Sequence, residues 1–141
     1  SEACVESGEP VVVGRPDRLP ELLARLRDDE VVALDWLVDL TAVDRPGSEP
    51  RLELVLHLAS RVHGHRVRVR APLADGAVAR SVASVHPVAD WLEREVHDLF
   101  GLGFERHPDL RRILREDDAP GYPLRRDERF GRRAGPKGRW S

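Results

Sequence analysis

Sulfur is almost missing from this chain of 141 residues, which has one cysteine, Cys4, and no methionine. A single cysteine excludes an internal disulfide and an iron–sulfur cluster held by this chain's own thiolates. Cys4 reads as a plain thiol, because no organising partner for a nucleophile is evident beside it. The absence of Met at position 1 suggests that the numbering starts after the genetic start. Aromatic residues make up only 5%, which leaves few stacking surfaces for nucleic-acid bases. No run of about 18 apolar residues exists to cross a membrane as a helix. The basic start, apolar middle and small-residue cleavage site of a secretory leader are not seen either. A glycine fingerprint for a dinucleotide and a ligand set for a metal are likewise missing.

Charge is plentiful and unevenly spread. Residues 1–105 carry 12 basic and 19 acidic side chains, a net of −7, whereas residues 106–141 carry 11 and 6, a net of +5. An acidic body with a basic tail follows. At this length a single core is expected.

Periodicity then gives the elements. Residues 1–10 show none and are expected to fray. Val11–Val13 suits a short edge strand. Leu19, Leu22, Leu23 and Leu26 follow the i, i+3, i+4, i+7 rule, giving a helix over 17–27. Alternation in Val32, Leu34, Trp36, Val38 and Leu40 favours a strand within 34–43, with room for a helical turn near Leu34–Leu37. Asp44–Ser48 is a turn by composition. Leu52, Leu54, Leu56 and Leu58 alternate with Glu53, Val55 and His57. Arg66, Val67, Arg68, Val69 and Arg70 alternate again after a turn at 61–64. These two strands should form an antiparallel hairpin that Pro72 ends.

His63-Gly64-His65 in that turn could chelate a metal, but no third ligand is near, and solvated turn histidines are the favoured reading. Val78, Val82 and Val85 have helical spacing, so a second helix is expected over 78–100, broken at Pro87 and stopped by Gly101. In its second half Ala89, Leu92, Val96 and Leu99 form an apolar stripe. Glu95 flanks that stripe, and a carboxylate so placed needs a cation, for which Arg111 and Arg112 are the candidates. Arg94 and Asp98, four apart, should pair in solvent. Short strands and loop should carry the chain to Leu114.

The resulting expectation is a two-layer α+β domain over 1–114, with helices on one face of a mixed β-sheet. A basic C-terminal tail over 115–141 is too poor in apolar residues to form its own core. Tyr122, Leu124, Phe130 and Trp140 interleave with arginines there, as interface anchors do. The segment from Tyr122 to about Phe130 should therefore run extended over a partner and be loose in the isolated chain.

One stretch resembles a known family. Glu93-Arg94-Glu95, Asp98-Leu99-Phe100, then His107, Arg111, Ile113 and Leu114 are similar to the signature of the 30-kilodalton (C-type) subunit of respiratory NADH:quinone oxidoreductase (complex I, NDH-1). Asp39–Asp44 resembles a family motif ahead of the hairpin. Tyr122-Pro123-Leu124-Arg125-Arg126-Asp127 is similar to a His-Pro-Leu-Arg-Lys-Asp segment, with Tyr122 in place of His and Arg126 in place of Lys. The N-terminal body is short for the family, and the chain after Asp127 lacks its usual Pro-Leu-x-Gly continuation. The resemblance implies a structural peripheral-arm subunit with no cofactor of its own, which assembles beside the 49-kilodalton (D-type) subunit. Its signature residues would serve ion pairs and partner contacts rather than catalysis. NADH, FMN, iron–sulfur clusters and quinone would belong to the whole complex. Contact with the cell membrane would be indirect and on its cytoplasmic side. Membrane-bound hydrogenases and photosynthetic NDH complexes hold related chains, so an equivalent subunit there is the alternative.

Two further readings stand beside that one. An acid–base enzyme would use Glu93, Glu95 or His97, but Glu93 and Glu95 point apart on a helix. A nucleic-acid module would use the basic tail, against which stand the acidic body and the scarcity of aromatic residues.

Overall fold

The computed structural model describes residues 2–6, 8–108 and 124. In chain order the elements are β1 (Glu2–Glu6), β2 (Glu9–Val13), α1 (Leu19–Asp28), β3 (Trp36–Asp44), β4 (Leu52–Ala59), β5 (Arg66–Leu73), β6 (Val78–Arg80), α2 (Ala89–Phe100) and β7 (Gly103–Glu105). The first five strands form one sheet in the order β1-β2-β5-β4-β3, and β6 pairs with β7 in a small second sheet. The β2–β5 pairing is parallel and the other pairings of the large sheet are antiparallel. The sheet is therefore mixed, and α1 carries the chain across its face from β2 to β3. The fold is α+β, as the residue pattern implies.

The β4–β5 hairpin forms as expected, from Leu52↔Leu73 to Ala59↔Arg66. Leu52, Leu54, Leu56 and Leu58 face the core with Leu40, Ala42, Val69, Ala71 and Leu73, and Leu19, Leu23, Ala89, Val96 and Phe100 of the two helices pack onto them. Pro72 does not end β5. It sits opposite Glu53 inside the pairing.

Four expectations need correction. Residues 2–6 are not frayed. They form edge strand β1, paired to β2 through Cys4↔Val11, so Val11–Val13 lies inside the sheet and not at its edge. The tight connection uses Gly8 at φ 78°, a backbone angle that favours glycine. In β3 the alternation breaks at a bulge between Leu37 and Asp39. One extra residue flips the pleat, so Leu37, Leu40 and Ala42 are buried while Trp36 and Val38 are exposed. Along β4 the second face is also covered, because Glu53 and Val55 are buried with the leucines. Finally, Val78–Arg80 is a strand pairing parallel with Gly103–Glu105, so the second helix starts at Ala89. Valines three and four apart match a helical period, yet β-branching favours extended backbone. Pro87 and the short 81–88 turns then delay the helix.

Candidate functional site

The end of α2 follows its local signal. Gly101 takes φ 78°, and its N–H donates to the His97 carbonyl, closing the helix. His97 Nδ1 donates to the Leu102 carbonyl at 2.9 Å, which holds the turn into β7.

The buried face of the helix is rotated from the expected stripe. Ala89, Glu93, Val96, Asp98 and Phe100 are buried, while Leu92 and Leu99 are half-buried at the border of the core. Glu93 is 0% exposed. One of its oxygens accepts from the Ser81 hydroxyl at 2.6 Å and the other from the Val82 amide at 2.7 Å. The Ala83 amide in turn donates to Ser81 Oγ at 3.1 Å. His107 closes the cluster. Its buried Nε2 donates to the Asp90 carbonyl at 3.0 Å and lies 3.8 Å from Glu93 Oε1. The cluster fastens α2 to the loop after β6 and to the chain after β7. Burial pushes the Glu93 carboxyl above its ordinary value, and the Ser81 and Val82 hydrogen bonds and the nearby His107 only partly oppose this.

Of the residues singled out in the sequence, this cluster brings Glu93 and His107 together. Arg94 is half-buried and stands with its guanidinium 6.0 Å from the centroid of the exposed Trp91 ring. Asp98 is 0% exposed, so it is not half of a solvent-exposed pair. Glu95 is only half-buried, so Glu93 and Asp98 are the fully enclosed carboxylates of α2. Arg111, Arg112, Tyr122, Arg125, Arg126 and Asp127 lie outside the described residues, as do the Glu95–arginine pairing and the path of most of the tail. Leu124 is described, and its amide donates to the Leu99 carbonyl of α2 at 3.0 Å. Sequence reasoning missed Ser81 and the Val82 amide, whose only signal was position beside a strand misread as helix, and Asp90, in the first turn of α2.

A second polar array covers the outer face of the sheet. Arg70 bonds Glu53 at 2.6 Å and Glu6 at 2.8 Å, Arg45 bonds Glu53 at 2.9 Å, and Arg68 bonds Glu9 at 3.0 Å. Burial alone would raise the Glu53 carboxyl, but hydrogen bonds from Arg70 and Arg45 outweigh it and hold the group below its ordinary value. Alternating arginines in β5 were its signal. The array borders an open depression of about 700 Å³ lined also by Thr41, Val43, Val55 and His57. Its arginines are already engaged by carboxylates, so the depression is not a free anion pocket.

The histidines of the 61–64 turn also have structural work. His63 Nε2 donates to the Glu30 carbonyl and His65 Nε2 to the Val32 carbonyl, and the two rings stack at 5.7 Å. Among the described residues, no three His, Cys, Asp or Glu side chains group as metal ligands.

The family profile described as respiratory-chain NADH dehydrogenase, 30 Kd subunit, matches residues 12–134. The chain belongs to that family. The match starts within β2 and takes in β3 to β5, both helices and the Glu93 cluster, leaving β1 outside. The C-type subunit of NADH-quinone oxidoreductase from Dinoroseobacter shibae is 44% identical over 119 residues, covering 84% of this chain and 55% of the relative. Its counterpart from Rhodobacter capsulatus is 45% identical over 123 residues, covering 87% and 62%. The chain therefore spans a little over half the length of these relatives. Among solved structures, a chain of the membrane-bound sulfane sulfur reductase (MBS), an archaeal respiratory membrane complex, superposes with a TM-score of 0.76 at 28% identity. That match covers 89% of this chain and 75% of the other. Among the described residues, no helix is long and apolar enough to cross a membrane.

Proposed function

We propose that this chain is a structural, cofactor-free subunit in the peripheral arm of a proton-translocating NADH:quinone oxidoreductase, docked beside the 49-kilodalton-type subunit. The observation that carries the reading is the state of Glu93. Of the acid–base candidates, Glu93 is enclosed, and a hydroxyl and a backbone amide occupy its two oxygens. Such a carboxylate fixes geometry and does not meet a substrate. Glu93, Arg94, Glu95, Asp98 and His107 then form the frame of the α2 region, with Arg111 and Arg112 following it. NADH, FMN, iron–sulfur clusters and quinone are the business of other subunits. Membrane attachment on the cytoplasmic side comes through them, and no nucleic acid is involved.

Docking falls to groups that the domain leaves exposed. Trp91 is 52% exposed with Arg94 beside it, and aromatic and arginine side chains are the common anchors of interfaces. The tail beyond Asp127 adds further arginine and aromatic residues. The decisive experiment is co-purification of the natural full-length protein with the 49-kilodalton-type subunit from membranes. Rescue of NADH:quinone activity in a strain lacking the 30-kilodalton subunit should accompany it. Recovery of the chain alone, with normal activity in its absence, would reject the reading. Similarity to a chain of the archaeal sulfane sulfur reductase favours one second reading, the equivalent subunit of a related membrane complex. A co-purified assembly without NADH oxidation would select it.

A further inference from the structure

Between α2 and β3, an edge strand of the sheet among the described residues, lies a groove of about 280 Å³ lined by Asp39, Leu40, Thr41, Glu95, Val96, Leu99, Phe100 and Leu124. Its floor is apolar, since Leu40, Val96 and Phe100 are buried. Its charged members are two carboxylates, and no cation is among the described lining residues. Asp39 is exposed, and its Oδ1 accepts from the Leu40 amide at 2.9 Å, which leaves its other oxygen open. The groove also meets the C-terminal turn of α2, where unsatisfied carbonyls and the helix dipole favour positive charge. One such carbonyl, that of Leu99, accepts from the Leu124 amide at 3.0 Å. Leu124 thus stands at the groove with its chain fixed at one atom. The next two residues are Arg125 and Arg126.

We propose that the groove is the seat of this chain's own Arg125–Arg126 pair, a basic strap whose guanidinium groups meet Glu95 and Asp39 while Leu124 holds its start on α2. Charge and tethering both choose this occupant. A segment attached one residue away is present at an effective concentration of about millimolar, which a free basic segment of another protein does not reach. The Arg125 Cα lies about 3.8 Å from that of Leu124, well within reach of the groove mouth. The proposal is independent of which complex the chain serves. If it holds, the tail beyond Asp127 leaves the domain from the α2–β3 side, and a partner gripped by the tail must sit there.

Trypsin tests it on the full chain. The bond after Arg125 should be cut about tenfold more slowly than the bond after Arg132 at low salt, because cleavage follows local opening. The double substitution Asp39→Asn with Glu95→Gln should bring the two rates within about threefold, as should 0.5 M salt, which screens the pairs. An unchanged melting temperature shows that the variant still folds. If it does not fold, the charge exchange Glu95→Arg with Arg125→Glu serves instead, read at the bond after Arg126, and should restore there the protection that Glu95→Arg alone and Arg125→Glu alone each remove. Equal cutting of the two bonds in the unaltered chain overturns the proposal. So does protection that survives both the variants and salt, or protection that appears only when the 49-kilodalton-type subunit is added.

Discussion

Replacing Glu93 separates the roles of its charge, its shape and its hydrogen bonds. Glu93→Ala leaves the Val82 amide and the Ser81 hydroxyl enclosed without their acceptor. An unsatisfied buried donor costs about 1–3 kcal/mol. The hydroxyl can turn elsewhere and the amide cannot, so the amide sets the larger share. Loss of the one buried γ-methylene, together with the cavity that the missing carboxyl leaves, adds about 1–2 kcal/mol. Relief from enclosing a carboxylate offsets part of this, and a net loss of about 3–4 kcal/mol is expected. That corresponds to a fall of about 10–15 °C in melting temperature.

Glu93→Gln keeps the shape and an oxygen for the Val82 amide, so near neutral pH it should cost no more than about 1 kcal/mol. The two proteins should also differ in pH response. The folded Glu93 carboxyl titrates above its unfolded value of 4.5, so the folded state holds the proton more tightly. Its contribution is complete below the unfolded value and is lost as pH rises through the folded one. Relative to the native chain, Glu93→Gln should therefore gain stability from about pH 4.5 upward. Urea unfolding followed by circular dichroism between pH 4 and pH 8 measures this. Equal losses for Ala and Gln, or a difference between the native chain and Gln that moves in the opposite direction with pH, would refute the account of an enclosed, hydrogen-bonded carboxylate.

Other outcomes follow from single features. Glu53 behaves oppositely to Glu93. Its depressed folded value makes its contribution present above the unfolded value and lost as pH falls through the folded one, so Glu53→Gln should flatten the acid limb of the stability curve. His86 is buried, and desolvation followed by the charge of Arg27 lowers its folded value below 6.5. Stability should fall as pH drops below about 6.5, and His86→Phe should remove that slope in a pH series of thermal melts. Gly101→Ala at φ 78° should cost about 1 kcal/mol by urea titration. Trp91→Ala should leave unfolding within about 0.5 kcal/mol of the native chain, yet reduce recovery with the 49-kilodalton-type subunit in a pull-down.

Much of the fold was legible wherever one face of an element meets the core and the other does not. The alternating leucines of β4 and valines of β5 gave the hairpin, and Leu19, Leu22, Leu23 and Leu26 gave α1. Legibility failed where a second cause reset the period. A bulge at Leu37/Asp39 moved Trp36 outward, though its spacing placed it with Leu40. Val78, Val82 and Val85 had the right spacing for a helix, but Val78 belongs to a strand whose partner lies 25 residues further on. No local pattern reports such a pairing. β1 was missed for a similar reason, since its alternation is weak and its support comes from β2. In the site, Glu93 was passed over for Glu95 because a glutamate was assigned to the flank of an apolar stripe and not to its centre. The acceptor demand of the Val82 amide and Ser81 hydroxyl reverses that choice, and it exists only once the loop after β6 has folded against α2.

The domain answers the problem of buried carboxylates in two ways, and the difference bears on how it can serve an assembly. Glu93 is met by neutral donors inside the core, a fixed arrangement that salt does not reach. Glu53 is met by Arg70 and Arg45 on the outer face, with Arg70 reaching onward to Glu6 of the edge strand. The outer array thus ties β4 and β5 to β1 through side chains as well as through the backbone. With those arginines engaged, the outer sheet face offers little net attraction to a charged partner. At the opposite edge lie exposed Trp91, the carboxylates of the α2–β3 groove, and the point where Leu124 joins the helix. Partner contact should therefore concentrate along α2 and the tail it anchors. Substitutions on the outer sheet face should alter acid stability far more than they alter assembly.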